Sequence, residues 1–222
     1  MKSTPILALF ASLTLVFSCK KAPTPAANAD AYMNVSPNSS WNYRETNLAT
    51  TTITNYTITS TSRDTVINSR SYHIFNNSNG NKAQYYLISG NEYYEFREIV
   101  NNSGGNKAEL LYLKNNVSAG TTWQQNLTMN VSGLDVPVSI AYTLAETNGT
   151  RTVNGTTYNN VIKVNATISS SLVPAAQLTS DIQNYYAPGV GNIESTYKID
   201  LDYSGITSHI DTKTILLSSD IR

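Results

Sequence analysis

Apolar and polar residues alternate along most of this chain, with a period of two rather than 3.6. In residues 54–62, TNYTITSTS, Tyr56 and Ile58 point one way and Thr57, Thr59 and Thr61 the other, as in a half-buried strand. The same pattern predicts strands over 85–88 and 92–100, joined around Ser89-Gly90-Asn91, and over 109–113 after the turn cluster 101–105. It continues over 136–147, 159–169, 194–202 and 208–217, with Tyr203-Ser204-Gly205 as the last hairpin turn. Residues 172–184 depart from it, and Ala175, Ala176 and Leu178 predict a short helix there. Turn spacing predicts about ten to twelve strands. The expected fold class is all-β: an antiparallel meander forming a curved sheet or open half-barrel, with one short helix near 172–184.

The pattern repeats weakly at long range. The turn 36–40 delivers Trp41 onto a strand, and the turn 118–122 delivers Trp123 in the same way. Residues 63–72 and 151–158 each read as a strand, a tight turn around Asn and a strand led by Tyr. Tyr85-Tyr86 followed by Ser89-Gly90-Asn91 is echoed by Tyr185-Tyr186 followed by Val190-Gly191-Asn192. Three matches in one order suggest a duplicated meander with halves of about 34–117 and 118–222. Recurrence of Trp, Tyr and Gly wherever hairpins occur is the alternative.

One apolar run lies outside the alternation. After Lys2, residues 6–17 are apolar except for Ser12 and Thr14, too short a run to span a bilayer comfortably and suited to a secretory signal. It ends in Val16-Phe17-Ser18-Cys19, which resembles a bacterial lipobox and implies cleavage before Cys19 and acylation of that residue. Cys19 is the only cysteine, so no intramolecular disulfide can form. Several acyl chains, which the resemblance implies, give stable membrane attachment. Lys20-Lys21 follow in place of the Asp linked to inner-membrane retention, which directs the expectation to the outer membrane, on either face. The domains are then a signal peptide 1–18, a lipidated Cys19 with a flexible tether through 33, and one domain 34–222. The small, polar, Pro-containing stretch 22–31 is the tether's core.

Composition narrows the partners. About 190 residues of mature chain can build a real core. Formal net charge is zero and only 14% of residues are charged, so no basic face suited to nucleic acid is expected. Fifteen tyrosines offer apolar area with a polar tip.

The stretch 184–195, NYYAPGVGNIES, reads as a bent entry into a core strand. Pro188 fixes its own φ and extends Ala187, while Gly189 and Gly191 permit positive φ around Val190. A phosphate cradle fails because Glu194 stands where a third Gly is needed. This stretch, together with SSWNYRET at 39–46, resembles the TapB-family exported domains. The resemblance rests on Trp41, Tyr43, Tyr186, Ala187, Gly189, Val190 and Gly191 and covers most of 34–222. It implies an all-β exported domain, often a lipoprotein, and carries no defined activity.

Catalytic groups are scarce. His73 and His209 each sit in an expected strand. Ser208, His209 and Asp211 cannot converge, because neighbours on a strand face opposite ways. Asp200, Asp202, Ser204 and Asp211, with Gly205, follow calcium-loop spacing, but the flanks alternate like strands and the last ligand is Asp rather than Glu. Among Glu92, Glu95 and Glu98, alternation separates Glu92 and Tyr94 from Tyr93 and Glu95, as on mixed exposed faces of a hairpin. Asp64-Thr65-Val66 resembles a short periplasmic O-glycosylation acceptor at Thr65. No cofactor or metal and no catalytic residue is expected. The functional expectation is a non-enzymatic, lipid-anchored envelope module that binds an apolar or glycan ligand or a partner protein. An enclosed apolar cavity between the sheet and the segment 172–184 would favour a carrier, a filled core with exposed aromatics an interaction module, and a polar, carboxylate-lined cavity an enzyme. The competing class is an envelope hydrolase with a carboxylate/Tyr site.

Overall fold

The computed structural model describes residues 31–80, 82–98, 107–131 and 134–222. Cys19, the signal segment, most of the tether and the turn cluster 101–105 lie outside these residues. Twelve antiparallel strands follow in chain order: β1 (Ser40–Asn47), β2 (Ile53–Ile67), β3 (Arg70–Asn77), β4 (Lys82–Ser89), β5 (Glu92–Glu98) and β6 (Lys107–Lys114), then β7 (Thr122–Val131), β8 (Leu134–Val153), β9 (Thr156–Ser170), β10 (Leu178–Ala187), β11 (Gly191–Tyr203) and β12 (Ile206–Asp220). Each strand pairs with its sequence neighbours except β6 and β7, and β1 pairs with β12 over Ser40↔Asp220 to Asn47↔Thr212. The sheet thus curls into a nearly closed barrel, with its remaining seam between β6 and β7.

Local chemistry sets the register. Three hairpins turn on two residues that both have positive φ: Asn68-Ser69, Asn154-Gly155 and Ser204-Gly205. That geometry matches the right-handed twist of the flanking strands. Among the described residues there is no helix, which corrects the expectation for 172–184. Val173 bridges Ser170, Gln177 N–H donates to Pro174 O (2.8 Å), and β10 begins at Leu178. Two alanines are a weak helical signal. Leu178, Ile182, Asn184 and Tyr186 face inward at period two, with β9 and β11 supplying ladders on both sides.

The seam is closed by side chains. The Gln125 carboxamide on β7 accepts from Leu111 N–H (2.8 Å) and donates to Glu109 O (3.2 Å), doing the work of a peptide group. Trp123 Nε1 donates to Leu111 O (2.8 Å), and its ring stacks on Tyr142 at 5.5 Å.

The two ends of the barrel differ. One end carries the turns before β1, between β10 and β11, and between β6 and β7, and there the N-terminal segment crosses inward. Ala31, Tyr32 and Asn34 are buried. Tyr32 N–H donates to Tyr93 Oη (3.1 Å), Tyr32 Oη donates to Asn160 O (2.7 Å), and Gly189 N–H donates to Ala31 O (2.7 Å). Around this plug pack Leu113, Phe75, Ile193 and Leu216, all within 1% of complete burial. The far end is bounded by the turns after β1, β9 and β11.

Candidate functional site: a tyrosine-lined barrel cavity

Alternation directs every second side chain into the barrel. These side chains do not fill it: a cavity of about 650 Å³ runs from Tyr32 and Met33 at the plugged end to Leu178, Leu201 and Ile210 near the far end. Its size is typical of small-molecule sites. Eight of the fifteen tyrosines line it, and the far half of its wall is mainly aliphatic, with Val136, Val138 and Ile140 of β8 and Ile199 and Leu201 of β11, interrupted by Ser170, Thr212 and Glu45.

Among the described residues, three charged ones line the cavity: Glu45, Glu95 and Arg97. Glu95 and Arg97 sit two apart on β5 and therefore on one face. Arg97 Nη1 lies 3.6 Å from Glu95 Oε2, and Tyr86 Oη donates to Glu95 Oε1 (3.4 Å). Arg97 also interacts electrostatically with Tyr197 on β11, which lies six places around the sheet from β5, on the opposite side of the bore. The Glu95 carboxylate, against the opposing pull of burial, raises the Arg97 guanidinium pKa. Burial first, and the Glu95 carboxylate after it, pushes the Tyr86 and Tyr112 hydroxyls well above their ordinary value. Burial likewise pushes Tyr56 up to about 12. These hydroxyls stay protonated and neutral. Gln84, beside them on β4, lines the cavity with a buried Oε1 that accepts no hydrogen bond.

The face assignment made from sequence for β5 holds, with Glu92 and Tyr94 opposite Tyr93 and Glu95. The inner face, however, is not a surface of the hairpin, since Tyr93 is 1% exposed and Glu95 lines the cavity. On the outer face Tyr94 hydrogen-bonds Glu92, Lys114 pairs with Glu92 at 2.9 Å, and the Arg70 guanidinium stacks on Tyr94 at 3.9 Å. Glu98 ends the strand.

The signature residues gather at the plugged end. Trp41 Nε1 donates to Val190 O and Tyr43 Oη to Asn192 O, both at 2.8 Å. Pro188 lies in the turn between β10 and β11, with Gly189 at φ 70° and Gly191 at φ 104°. Tyr186 stacks obliquely on Tyr112 at 5.6 Å, and Trp123 sits at the seam. The calcium-like residues spread along a hairpin: Asp200 pairs with His209, Asp202 is on β11, Ser204 is in the turn, and Asp211 faces Lys198 on β12. Among the described residues no cluster of His, Cys, Asp or Glu could hold a metal ion. Thr65 lies on β2 opposite Tyr72.

One constellation was not legible in the sequence. Ser60 Oγ lies 2.9 Å from His73 Nε2, and His73 Nδ1 lies 2.8 Å from Asp64 Oδ1. This is the connectivity of a Ser-His-Asp relay. Ser60 is 1% exposed beneath the N-terminal segment, with its Oγ also donating to Val35 O (3.0 Å), and it does not line the cavity. The relay pins that segment to β2 and β3. A register shift between Ser60 and Asp64 brings the three together, and no sequence spacing announces it.

No protein-family model matches the chain, and no curated protein matches it. Among solved structures, the chain is similar to a protein of Parabacteroides distasonis ATCC 8503 assigned as a lipoprotein, at 10% identity and TM-score 0.48, covering 85% of this chain and 98% of that one. It is also similar to a protein of Bacteroides fragilis NCTC 9343 with a YmcC-like fold, assigned as exported, at 10% identity and TM-score 0.47, covering the same shares.

Proposed function

We propose that this chain is a non-enzymatic, lipid-anchored protein of the bacterial outer membrane whose barrel holds an apolar or amphiphilic ligand. The cavity of about 650 Å³ carries the reading, because a domain that served only as a scaffold would close its bore with side chains. Its wall of aliphatic and aromatic groups with a few polar ones suits a small apolar ligand better than a macromolecular partner. Anchoring rests on the lipobox-like sequence ending at Cys19. The TapB-like resemblance belongs to the same reading, supported by the contact of its two signature stretches through Trp41 and Val190.

The test is a titration with the apolar fluorophore N-phenylnaphthylamine, comparing the wild type with Val138→Trp, which fills the aliphatic half of the bore. Saturable binding by the wild type that is lost in a folded Val138→Trp supports the reading. No binding by the wild type, or labelling of Ser60 by a fluorophosphonate, contradicts it.

A further inference from the structure

The bore has a polarity pattern that restricts its ligand further. On one side Glu95 and Arg97 form a loose pair at 3.6 Å, longer than a good charge-assisted hydrogen bond. Beside them Gln84 Oε1 is buried with its acceptor capacity unused. Facing them are the neutral hydroxyls of Tyr142 and Tyr197, and towards the far end the wall turns mainly aliphatic, with Glu45 of β1 as the remaining charged residue in the lining. A bare carboxylate or phosphate bound at Arg97 would lie against Glu95. A bare ammonium bound at Glu95 would lie against Arg97. Either would be buried beside a like charge, which costs more than its partner returns. An uncharged group that both donates and accepts avoids this conflict: its hydroxyls donate to Glu95 and Gln84 while its oxygens accept from Arg97. Several hydroxyls on adjacent carbons meet all three at once.

We infer that the cavity's ligand is an amphiphile with an uncharged polyol head, seated on Gln84, Glu95 and Arg97, and an apolar tail along β8 and β11. This inference rests on the carrier reading above. Acylglycerols and alkyl glycosides share the required chemistry and differ in the size of the head.

The experiment displaces N-phenylnaphthylamine from the full mature domain with four probes of one tail length: monolauroylglycerol, dodecyl glucoside, dodecanoate and dodecylamine. The expected result is that at least one polyol probe displaces the fluorophore at concentrations at least about tenfold below both charged probes. Which polyol is tighter distinguishes acylglycerol from glycoside. Two variants keep the test independent of folding losses. Arg97→Met leaves the Glu95 carboxylate alone and shifts the preference to dodecylamine, and Glu95→Gln frees Arg97 and shifts it to dodecanoate. Displacement at equal concentrations by all four probes, or a charged probe that is tightest in the wild type, overturns the inference while leaving the carrier reading standing. Variants that keep the wild-type order also overturn it. Failure of the fluorophore itself to bind overturns the carrier reading instead.

Discussion

The two ends of the barrel are built from the same alternating strands and solve opposite problems. At the plugged end, Tyr32, Trp41, Phe75, Ile193 and Leu216 pack to near-complete burial, and the N-terminal segment covers them. Towards the far end, inward-facing residues of the longer strands β8, β9, β11 and β12 leave a bore unfilled. The strands of the first six-strand run, apart from β2, have seven or eight residues, whereas those of the second run have ten to twenty. Stability therefore concentrates where the chain is crowded, and the proposed binding where it is not. Local stability is uneven in this way in proteins whose sites need open space.

Substitutions at the two ends should separate these roles. Trp41→Ala removes a ring that is 4% exposed and its bond to Val190 O, and should cost about 3–5 kcal/mol in urea unfolding. Next comes Glu194, a buried carboxylate on β11. Burial alone would raise its pKa, but hydrogen bonds from Arg151 and Lys213, at 2.8 and 2.9 Å, leave it lowered from the ordinary 4.5. A depressed folded-state pKa gives stability that is present above the unfolded value and lost as pH falls through the folded one. Wild-type stability should therefore fall on acidification below about pH 4.5, the unfolded-state value, and Glu194→Gln should flatten that fall. At neutral pH the variant should be less stable by about 2 kcal/mol. Stability that is independent of pH in this window for both proteins would remove Glu194 from the account.

Smaller effects sharpen the contrast. Gly191→Ala forces a side chain into φ 104° against Tyr32 O, 3.6 Å from the new carbon, and should cost about 1–2 kcal/mol. Gln125→Ala unpicks the seam along the wall and should cost about 1 kcal/mol, with faster hydrogen exchange at the Leu111 amide. Val138→Trp, in the bore, should change stability least and can raise it by up to about 1 kcal/mol by filling space, while abolishing fluorophore binding. A large destabilisation there would erase the distinction between the ends.

The fold was readable because alternation is local. Tyr56 and Ile58 declare their face within five residues, and Ser204-Gly205 declares its turn. Residues 172–184 misled because their inward positions on β10, Leu178, Ile182 and Asn184, include an Asn, and because β10 is held by neighbours far away in sequence. The stretch around Gly189 and Gly191 stood out in the sequence and lies at the plugged end, shaping a turn. The candidate site did not stand out, because Gln84, Glu95, Arg97 and Tyr197 share an interior only once the sheet closes on itself. No spacing rule connects β5 to the strand opposite it. A buried Gln beside a Glu-x-Arg on an alternating strand is the one weak signal that points there.

Native mass spectrometry of residues 20–222, exported by a cleavable signal and purified without detergent, tests the central claim most directly. A stoichiometric added mass that organic extraction removes is the predicted result. A bare protein mass from cells grown under every condition tried would contradict a barrel that carries a ligand.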